Sequence, residues 1–479
     1  MIENDQESVM RSIFFAALIA LTGVPAAPAI AQTAAVSFEQ QQAFERWKAN
    51  FRTKALSQGI RPDVFDNAFA GVTPNPKILN FDRKQPEFSR PIWKYLDSAV
   101  SASRVKNGRE KRAKHDSLLQ RIEQAYGVDS NVVLGIWGLE SAYGFGYGDF
   151  SIIRSLSTLA FDGRRQKFAE EQLVGALKII QNGDVPASGM LGSWAGAMGH
   201  VQFIPTSFNA LAVDFNGDGR RDIWSEDPTD ALASAANYLK KSGWRTGQPA
   251  FLPVRVPRSV DAYELRRSNK LSAAEWNARG VTTQDGRPVP DFGPAAVIIP
   301  AGSRGPAFMT FHNFGVIKKY NNATSYALGV AHLGNRIAGG GPLNVSWPKD
   351  DRPLGRTEKK NLQATLTQMG FDTNGVDGIL GPDSRAAMRN FQRSRGIPAD
   401  GYASAKLLER VELAAQGRET LGRDSVRLIQ QRLNERGYNA GVPDGIAGPQ
   451  TRSAIAAFQN ASGFAPDGQP SPALLQSLN

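Results

Sequence analysis

The chain has 479 residues, of which 41% are hydrophobic and 21% charged, and this composition is typical of a globular protein with two to four domains. It contains no cysteine, which excludes disulfides, thiolate zinc sites, a cysteine nucleophile and a lipid-modified N-terminal cysteine. With only four histidines, histidine-rich metal chemistry is disfavoured, and the net charge of +11 favours an anionic partner without choosing among nucleic acid, a membrane surface and an acidic wall polymer.

Residues 1–31 have the pattern of an export signal. Met10 and Arg11 precede an apolar run from Ile13 to Leu21, and small residues then end in A-I-A at Ala31. This pattern predicts a signal peptide that is cleaved after Ala31. Because the first nine residues are acidic and polar, Met10 is an alternative initiator. A retained membrane anchor is the less favoured interpretation, since the run is shorter than the roughly 20 residues that span a bilayer.

From residue 36 to residue 338 the hydrophobic pattern is mostly helical. The segments QQAFERWKANFRTKALSQGI, HDSLLQRIEQAYGV and DALASAANYLKKSGW place apolar residues at helical spacing. The first segment ends at Gly59, which is a typical helix stop. Between Phe251 and Pro300, short β-branched runs alternate with turns, and we predict a small β-containing lobe inserted into the helical domain.

The stretch GIWGLESAYGFGYG contains one charged residue, Glu140. Asp129 and Ser130 can cap a helix that begins near Asn131, which places Glu140 two to three turns into it and after an apolar run. Apolar neighbours disfavour the charged carboxylate and raise its pKa, as a general acid near neutral pH requires. The aromatic residues that follow, Tyr143 among them, suit the C–H faces of sugars. From this motif alone, an exposed helical glutamate is the alternative.

Small residues surround Ser193 and Gln202 in the stretch GSWAGAMGHVQF. Glycine and alanine allow a backbone to approach a ligand closely, so both polar side chains are candidates for a binding site. Judged on spacing alone, a simple helix junction explains this stretch equally well.

The stretch DFNGDGRRDIW has the D-x-N-x-D-G form of a calcium loop. Ser225 stands where a bidentate glutamate is usual, and Asp230 is the candidate replacement. A structural calcium ion or another hard cation is one interpretation, and an unoccupied loop closed by its own Asx turns is the other. In both cases the loop braces the fold and performs no chemistry. The candidate ligands are Asp214, Asn216, Asp218, the carbonyl of Arg220 and Asp230.

Residues 339–353, GGGPLNVSWPKDDRP, form a Gly/Pro-rich linker that precedes an internal repeat. The segments that start at Met369 and Arg436 match without a gap at an offset of 67 residues, and both contain D-G-x-x-G-P and F-Q. We predict two units, at 354–411 and 422–478, each with three amphipathic helices around a small core. The Asp-Gly turns are either part of a binding surface or purely structural.

The motifs ESAYG, GSWAGAMGHVQFIPTSF and FHNFGVIKKYNNATSYA, in this order, resemble those of lytic transglycosylases of the membrane-bound lytic transglycosylase B family. The resemblance spans residues 38–337. It implies a mainly α protein with a lysozyme-like α+β catalytic domain that cleaves the bond between N-acetylmuramic acid and N-acetylglucosamine in peptidoglycan and leaves 1,6-anhydromuramic ends. It places the catalytic acid at Glu140. The two C-terminal repeats resemble three-helix peptidoglycan-binding domains.

The resemblance also assigns substrate-binding residues. It puts Ser193 near the acid and Gln202 in the groove, and it makes Arg165, in the pair Arg164-Arg165, a ligand for a lactyl or stem-peptide carboxylate. Two solvated arginines are the alternative for that pair. For each tyrosine that aligns with a groove residue, core packing is an equally good explanation, and His200 replaces a tyrosine or leucine of some family members. The aligned groove residues are Tyr95, Tyr238, Tyr320, Asn321 and Tyr326.

A single carboxylate fits this chemistry better than ordinary glycoside hydrolysis, which uses a pair. One glutamate can protonate the leaving oxygen and then accept the proton of the muramic C6 hydroxyl, an internal nucleophile with high effective molarity. We therefore expect an exported, periplasmic, monomeric enzyme of wall turnover that needs no cofactor for catalysis and has no membrane anchor after signal cleavage. It has peptidoglycan as its partner and no nucleic-acid motif. A lysozyme-type hydrolase and a non-catalytic wall-binding scaffold are the alternatives.

Overall fold

The computed structural model describes residues 37–83, 90–416 and 421–478, so the predicted signal peptide lies outside the described residues. The contacts divide the described chain into two compact units. The first contains residues 37–83, 93–251 and 311–343, and the second contains residues 90–92, 252–310 and all described residues from 344 onward. Within the described ranges, none of the helices combines the length and apolar character needed to cross a membrane.

The first unit is built almost entirely of helices, as the hydrophobic periodicity predicts. Its only strands among the described residues wholly inside the unit, β1 (Phe150–Ser151) and β2 (Leu191–Gly192), pair antiparallel. The helices are α1 (Phe38–Ser57), α2 (Pro62–Ala68), α3 (Pro76–Arg83), α4 (Ile92–Ala99), α5 (Ala102–Lys114), α6 (Asp116–Tyr126), α7 (Ser130–Ser141), α8 (Ile152–Asp162), α9 (Gln166–Gln181), α10 (Pro205–Leu211), α11 (Thr229–Lys241), α13 (His312–Tyr320) and α14 (Thr324–Ile337).

Local sequence signals fix the ends of these helices. Ser37 caps α1 in a capping box with Gln40, and α1 ends just before Gly59, as predicted. Helix α7 is apolar on all sides, and nearly every one of its residues is buried. A helix of that kind has to lie inside the helical layer, and α14 packs along it. The residues of α7 therefore lie in the interior of the first unit.

The inserted segment of the second unit is a small lobe with a four-stranded sheet, which confirms the β-containing insertion. Its strands are β3 (Phe251–Arg255), β4 (Thr282–Thr283), β5 (Ala296–Ile298) and β6 (Ala307–Thr310), in the order β4-β3-β6-β5, with the short helix α12 (Ala273–Ala278). Val254 pairs with Thr283, and Val297 pairs with Met309, both in antiparallel register. The last strand lies beyond Pro300, where the sequence pattern ended the lobe.

The two C-terminal repeats each contain three helices, as predicted. The helices are α15 (Arg356–Gln368), α16 (Pro382–Ser394) and α17 (Ala405–Ala415) in repeat 1, and α18 (Arg423–Glu435), α19 (Pro449–Ala461) and α20 (Pro472–Ser477) in repeat 2. Equivalent residues fill the two cores at the 67-residue offset. The repeat 1 core includes Leu362, Leu366, Met388, Phe391 and Leu408, and the repeat 2 core includes Ile429, Leu433, Ile455, Phe458 and Leu475.

A buried glutamine holds the first Asp-Gly turn in each repeat. In repeat 1, Gln363 Nε2 donates to Asp377 Oδ1 at 3.1 Å, and Gly378 N donates to Gln363 Oε1 at 2.7 Å. In repeat 2, Gln430 makes the same two hydrogen bonds to Asp444 and Gly445, at 3.0 and 2.8 Å. A buried amide needs such partners. These Asp side chains therefore have a structural task.

Candidate active site

Glu140 lies near the C-terminal end of α7. Asp129 caps the start of the helix by accepting from Asn131 N at 2.8 Å, and the helix ends at Ser141 because Ala142 adopts a left-handed conformation with φ of 50°. The negative end of the helix dipole disfavours an anion, so this position adds to the effect of burial on the carboxylate.

The Glu140 carboxyl has a tyrosine as its direct partner. The hydroxyl of Tyr326, on α14, donates to Glu140 Oε1 at 2.5 Å. Burial raises the pKa of Glu140 to about 7, and the Tyr326 hydrogen bond, which favours the ionised form, offsets only part of that effect. The raised pKa that the apolar motif predicts is therefore confirmed. At neutral pH a large fraction of the Glu140 carboxyls carries the proton that a general acid must deliver.

The aligned tyrosines gather beside Glu140. The rings of Tyr320 and Tyr326 stack with centroids 6.4 Å apart, and Tyr238 lies 4.7 Å from Tyr320. Burial raises the pKa of Tyr326 well above its ordinary value, and Glu140, Tyr320 and Tyr95 add smaller electrostatic contributions. The sequence positions 95, 140, 238, 320 and 326 are thus brought into one neighbourhood of the first unit.

Packing accounts for the polar groups of several of these residues. The Tyr320 hydroxyl donates to Val201 O at 2.5 Å, and the Tyr238 hydroxyl donates to Lys319 O at 2.6 Å. Asn321 is buried, and its Oδ1 accepts from Ala323 N at 3.1 Å. Packing within the protein therefore accounts for the hydroxyl and amide groups of these residues, and the contact of their side chains with sugar stays a prediction.

Tyr143 does not match the sugar-stacking role expected from the sequence. Its side chain is only 2% exposed, its ring packs edge-on against Trp137, and its hydroxyl donates to Arg104 O at 2.9 Å. Burial raises the pKa of Tyr143 well above its ordinary value. The exposed ring of this aromatic stretch is Phe145, which is 82% exposed. Burial against α5 assigns Tyr143 to the core.

Ser193 and Gln202 lie in an irregular turn that precedes α10. Ser193 Oγ accepts from Ala195 N at 3.3 Å and from Ala197 N at 3.0 Å, which closes the turn. Gln202 has a φ of 50°, is buried, and donates through Nε2 to Tyr147 O at 3.0 Å. Both side chains thus hold the backbone that carries residues 193–203 next to the aromatic stretch after α7.

His200 is a residue of this site to which the sequence pattern gave no role of its own. Trp137 Nε1 donates to His200 Nδ1 at 3.0 Å, and His200 Nε2 lies 2.6 Å from Ser225 O. An accepting Nδ1 requires the proton to be on Nε2, and burial lowers the pKa of His200, so the ring is neutral. Ser141 Oγ also donates to His200 O at 2.7 Å. The hydrogen bonds from Trp137 and Ser141 thus join His200 to α7, the helix that contains Glu140.

Gly144 explains how His200 fits against the end of α7. Its φ is +88°, and a Cβ at this position would lie 2.4 Å from His200 Cε1. A side chain here would displace the imidazole ring. The close approach of His200 therefore requires a glycine at position 144. This requirement cannot be recognised from the sequence, because it depends on a contact that only the fold shows.

Arg164 and Arg165 share a buried carboxylate, Asp82. Arg164 Nε donates to Asp82 Oδ2 at 2.8 Å, and Arg165 Nε lies 3.3 Å from Asp82 Oδ1. The Arg164 side chain is 50% exposed, whereas that of Arg165 is 12% exposed. Neither interpretation from the sequence, two solvated arginines or a carboxylate-binding Arg165, includes these ion pairs, which join residues 82 and 83 positions apart.

The candidate calcium loop is closed by its own hydrogen bonds. Asp214 accepts from Gly217 N and Gly219 N at 2.7 and 2.8 Å, and the buried Asp230 accepts from Phe215 N at 2.8 Å. Asn216 and Asp218 bond to each other and to the backbone, and Asp218 Oδ1 accepts from Arg220 N at 2.9 Å. The oxygen donors fit a hard cation. However, no three acidic or histidine side chains converge as a metal-binding group in the described ranges.

Comparison with known proteins identifies the family. The model of the transglycosylase SLT domain family matches residues 43–335, and that of the putative peptidoglycan binding domain matches residues 356–411 and 422–478. Membrane-bound lytic murein transglycosylase B of Escherichia coli K12 is 31% identical over 288 residues, which cover 59% of this chain and 76% of that protein.

Solved structures agree with this assignment. SltB3 from Pseudomonas aeruginosa, in complex with NAG-anhNAM-pentapeptide, is 49% identical with a TM-score of 0.75, and the match covers 78% of this chain and all of that one. The Escherichia coli lytic transglycosylase Slt35, in complex with calcium, is 28% identical with a TM-score of 0.53 over 61% of this chain and 92% of that one. The lysozyme-like, mainly α fold class is confirmed. This chain belongs to the membrane-bound lytic transglycosylase B family and is a peptidoglycan lytic transglycosylase with C-terminal peptidoglycan-binding domains.

Proposed function

We propose that Glu140 alone supplies acid and base catalysis, cleaves the β-1,4 bond between N-acetylmuramic acid and N-acetylglucosamine, and leaves a 1,6-anhydromuramic end. The observation that carries this proposal is the pKa of Glu140, about 7. Burial and the Tyr326 hydrogen bond account for that value, and no acidic side chain of the described residues contributes to it. A second carboxylate close enough to act as a nucleophile would disfavour ionisation of Glu140 directly.

The reaction proceeds in two proton transfers. Protonated Glu140 donates to the glycosidic oxygen as the C1–O4 bond breaks, and the ionised carboxylate then takes the proton of the C6 hydroxyl as its oxygen attacks C1. The Tyr326 hydroxyl stabilises the intervening carboxylate, since a hydrogen bond to the charged form favours it. The complex of SltB3 with an anhydro-sugar product supports this product for a relative that is 49% identical.

The test is mass spectrometry of purified sacculi digested by residues 32–479. We expect muropeptides that end in 1,6-anhydromuramic acid. Reducing ends would assign the enzyme to lysozyme-type hydrolysis and contradict the proposal. A Glu140→Gln chain that releases the same products at the parental rate would remove Glu140 from catalysis and favour a wall-binding scaffold.

The aligned polar and aromatic residues form the proposed substrate surroundings. Tyr95, Tyr238, Tyr320 and Asn321 shape the groove wall beside the acid, and Tyr326 contacts the acid directly. Ser193 and Gln202 act by holding the 193–203 turn in place. Because Asp82 already pairs with Arg165, a stem-peptide or lactyl carboxylate would have to share this guanidinium with it or bind the more exposed Arg164.

The proposed domain organisation has a catalytic domain at 36–338, a linker at 339–353 and repeats at 354–411 and 422–478. The family matches at 43–335, 356–411 and 422–478 support these bounds. We propose that the protein is exported through the signal at residues 1–31, acts as a monomer in the periplasm during wall turnover, and binds glycan strands through its repeats. Tandem repeats raise the effective concentration of the catalytic domain at a polymer.

A structural cation in the 214–230 loop is part of the proposal, supported by the oxygen donors of the loop and by the calcium complex of Slt35. Calcium at millimolar concentration should raise the melting temperature of the parental chain by a few degrees, because a ligand that binds only the folded state stabilises it. Asp214→Asn, which removes a charge and leaves an acceptor for the turn, should abolish this increase. The same melting temperature with calcium and with a chelator would leave the loop as a set of Asx turns.

A further inference from the structure

The first repeat is docked onto the inserted lobe within the second unit. The guanidinium carbons of Arg389 and Arg393, on α16, lie 5.1 and 5.3 Å from the ring centroid of Tyr263 in the lobe. Arg393 Nη2 also lies 3.8 Å from Asp261 Oδ2. Both arginines thus make cation–π contacts with the lobe.

The second Asp-Gly turn of repeat 1 contacts the lobe on the same side. Asp400 Oδ2 accepts from Ser303 N at 2.7 Å and from Ser303 Oγ at 2.9 Å. A Cβ at Gly302, whose φ is +73°, would lie 2.9 Å from Asp400 Oδ2 and 3.0 Å from Tyr402 Cβ. The positive φ and the close approach of the Asp400 and Tyr402 side chains therefore favour glycine at this position of the lobe. We name this side of a repeat the second-turn face, and in repeat 1 it comprises Arg389, Arg393, Asp400 and Tyr402.

Residues of the linker reinforce the docking. Arg304 of the lobe pairs with Asp350 at 2.7 Å, and Lys406 of repeat 1 pairs with the same carboxylate. The ring of Phe308, on β6, lies 6.0 Å from that of Trp347. Lobe, linker and repeat 1 are thus joined by ionic, aromatic and backbone contacts in one unit.

Repeat 2 keeps the turn and lacks the docking side chains. Gln459 Nε2 donates to Asp467 Oδ1 at 2.7 Å, and Gly468 N donates to Gln459 Oε1 at 2.9 Å, as Gln392 does with Asp400 and Gly401 in repeat 1. At the 67-residue offset, Arg389, Arg393 and Tyr402 are replaced by Ala456, Asn460 and Gln469.

Equal turn geometry places these three replacements on one face. In repeat 2 the side chains of Asn460, Asp467 and Gln469 are exposed, and Phe464 of the same turn is 46% exposed. The side-chain amides of Asn460 and Gln469 match the N-acetyl groups and hydroxyls of amino sugars, to which they can both donate and accept hydrogen bonds. The arginines that hold repeat 1 on the protein are absent from the corresponding positions.

We propose that the two repeats have divided their tasks. Repeat 1 uses its second-turn face to dock on the lobe, and repeat 2 presents the same face, through Asn460 and Gln469, to the amino-sugar backbone of peptidoglycan. This inference rests on the proposed function, in which the repeats bind the wall.

The test is hydrogen–deuterium exchange of the full Glu140→Gln chain with and without soluble peptidoglycan fragments, because this readout locates each contact separately. We expect the fragments to protect residues 456–470 and to leave residues 389–403 unchanged. Asn460→Ala combined with Gln469→Ala should raise the fragment concentration that gives half-maximal protection of repeat 2 at least fivefold. The melting temperature should stay the same. The matched control, Arg389→Ala with Arg393→Asn, should speed exchange at residues 301–304 in the absence of fragments and leave repeat 2 protection intact.

The outcomes separate the two proposals. Fragment protection at 389–403 without protection at 456–470 would reverse the assignment of the repeats, and unchanged exchange at 301–304 in the control would remove the docking. Protection near residues 137–147 alone would overturn the role of repeat 2 while retaining the proposed enzyme. Absence of protection anywhere in the chain would contradict the proposed function itself.

Discussion

The carboxylates of the two units have opposite environments. Glu140 lies at the end of a helix whose other residues are almost all buried, with the Tyr326 hydroxyl as its hydrogen-bond partner, and burial raises its pKa to about 7. Asp377 and Asp444 in the repeats lie at the surface, where backbone N–H groups and a glutamine amide lower their pKa values. Residues with the same functional group thus either hold a proton near neutral pH or remain charged in a turn, according to which donors and how much water surround them.

Among the changes that test this comparison, Glu140→Gln should have the largest effect, a loss of cleavage rate. The amide cannot deliver a proton, and general acid–base catalysis contributes roughly 10²–10⁴-fold, so we expect wall solubilisation to fall by about 10³-fold or more. Release of soluble muropeptides from sacculi, measured against time, checks this result. The matched control is Asp444→Asn, which should leave the rate unchanged because that carboxylate serves a turn.

The raised pKa also predicts a pH-dependent stability. The folded-state pKa of Glu140, about 7, lies above the ordinary value of 4.5, so the folded protein binds this proton more tightly than the unfolded chain. The resulting stabilisation is fully present below about pH 4.5 and is lost as the pH rises through 7. Relative to Glu140→Gln, the parental chain should therefore lose roughly 2–3 kcal/mol of unfolding free energy between those limits.

Thermal unfolding of both chains across this pH range measures the difference. The glutamine variant should be the more stable of the two at pH 8, and the two should converge at pH 4.5. Equal pH dependence of the two chains would mean that the carboxyl is not desolvated in the folded protein.

Removing the partner of an exposed carboxylate tests the other half of the comparison. Gln430→Ala leaves Gly445 N–H and the Thr451 hydroxyl without the buried amide, which typically costs about 1–3 kcal/mol. We expect lower thermal stability of repeat 2 with no change in the cleavage rate of soluble fragments. Gln363→Ala is the matched change in repeat 1, and an unaltered melting profile for both variants would contradict the structural role of the turns.

The smallest expected effect concerns Tyr326→Phe. The hydroxyl lowers the pKa of Glu140 by favouring its ionised form, so its removal should raise that pKa further. The alkaline limb of the pH–rate profile should shift upward, and the rate near neutral pH should fall severalfold because the intervening carboxylate loses its donor. A lower rate with an unmoved limb would assign Tyr326 to packing alone.

The sequence predicts the features that depend on neighbours along the chain. The helical pattern, the inserted lobe, the three-helix repeats and the raised pKa of Glu140 all follow from local apolar patterns. Contacts between distant residues were not predictable in this way. Asp82 pairs with two arginines more than 80 positions away, and the hydroxyl of the buried Tyr143 donates to the carbonyl oxygen of Arg104, 39 positions away.

His200 shows the same limit from the other side. Its replacement of a tyrosine or leucine was visible in the sequence, but its partners Trp137 and Ser225 were not, because they lie 63 and 25 positions away. The paired glutamines of the repeats are a middle case. Gln363 and Gln430 recur at the 67-residue offset, and only the fold shows that each one hydrogen-bonds to the Asp-Gly turn 14 positions later.

The partnership of Glu140 and Tyr326 has a consequence for how turnovers follow one another. In the proposed cycle the proton given to the leaving sugar is replaced by the proton of the C6 hydroxyl on the same carboxyl. With a pKa near the ambient pH, neither transfer is strongly uphill. The Glu140 carboxyl is then protonated again at the end of each cycle and does not need a proton from solvent. A slow exchange of this site with bulk water would therefore be no obstacle to repeated cleavage along a strand.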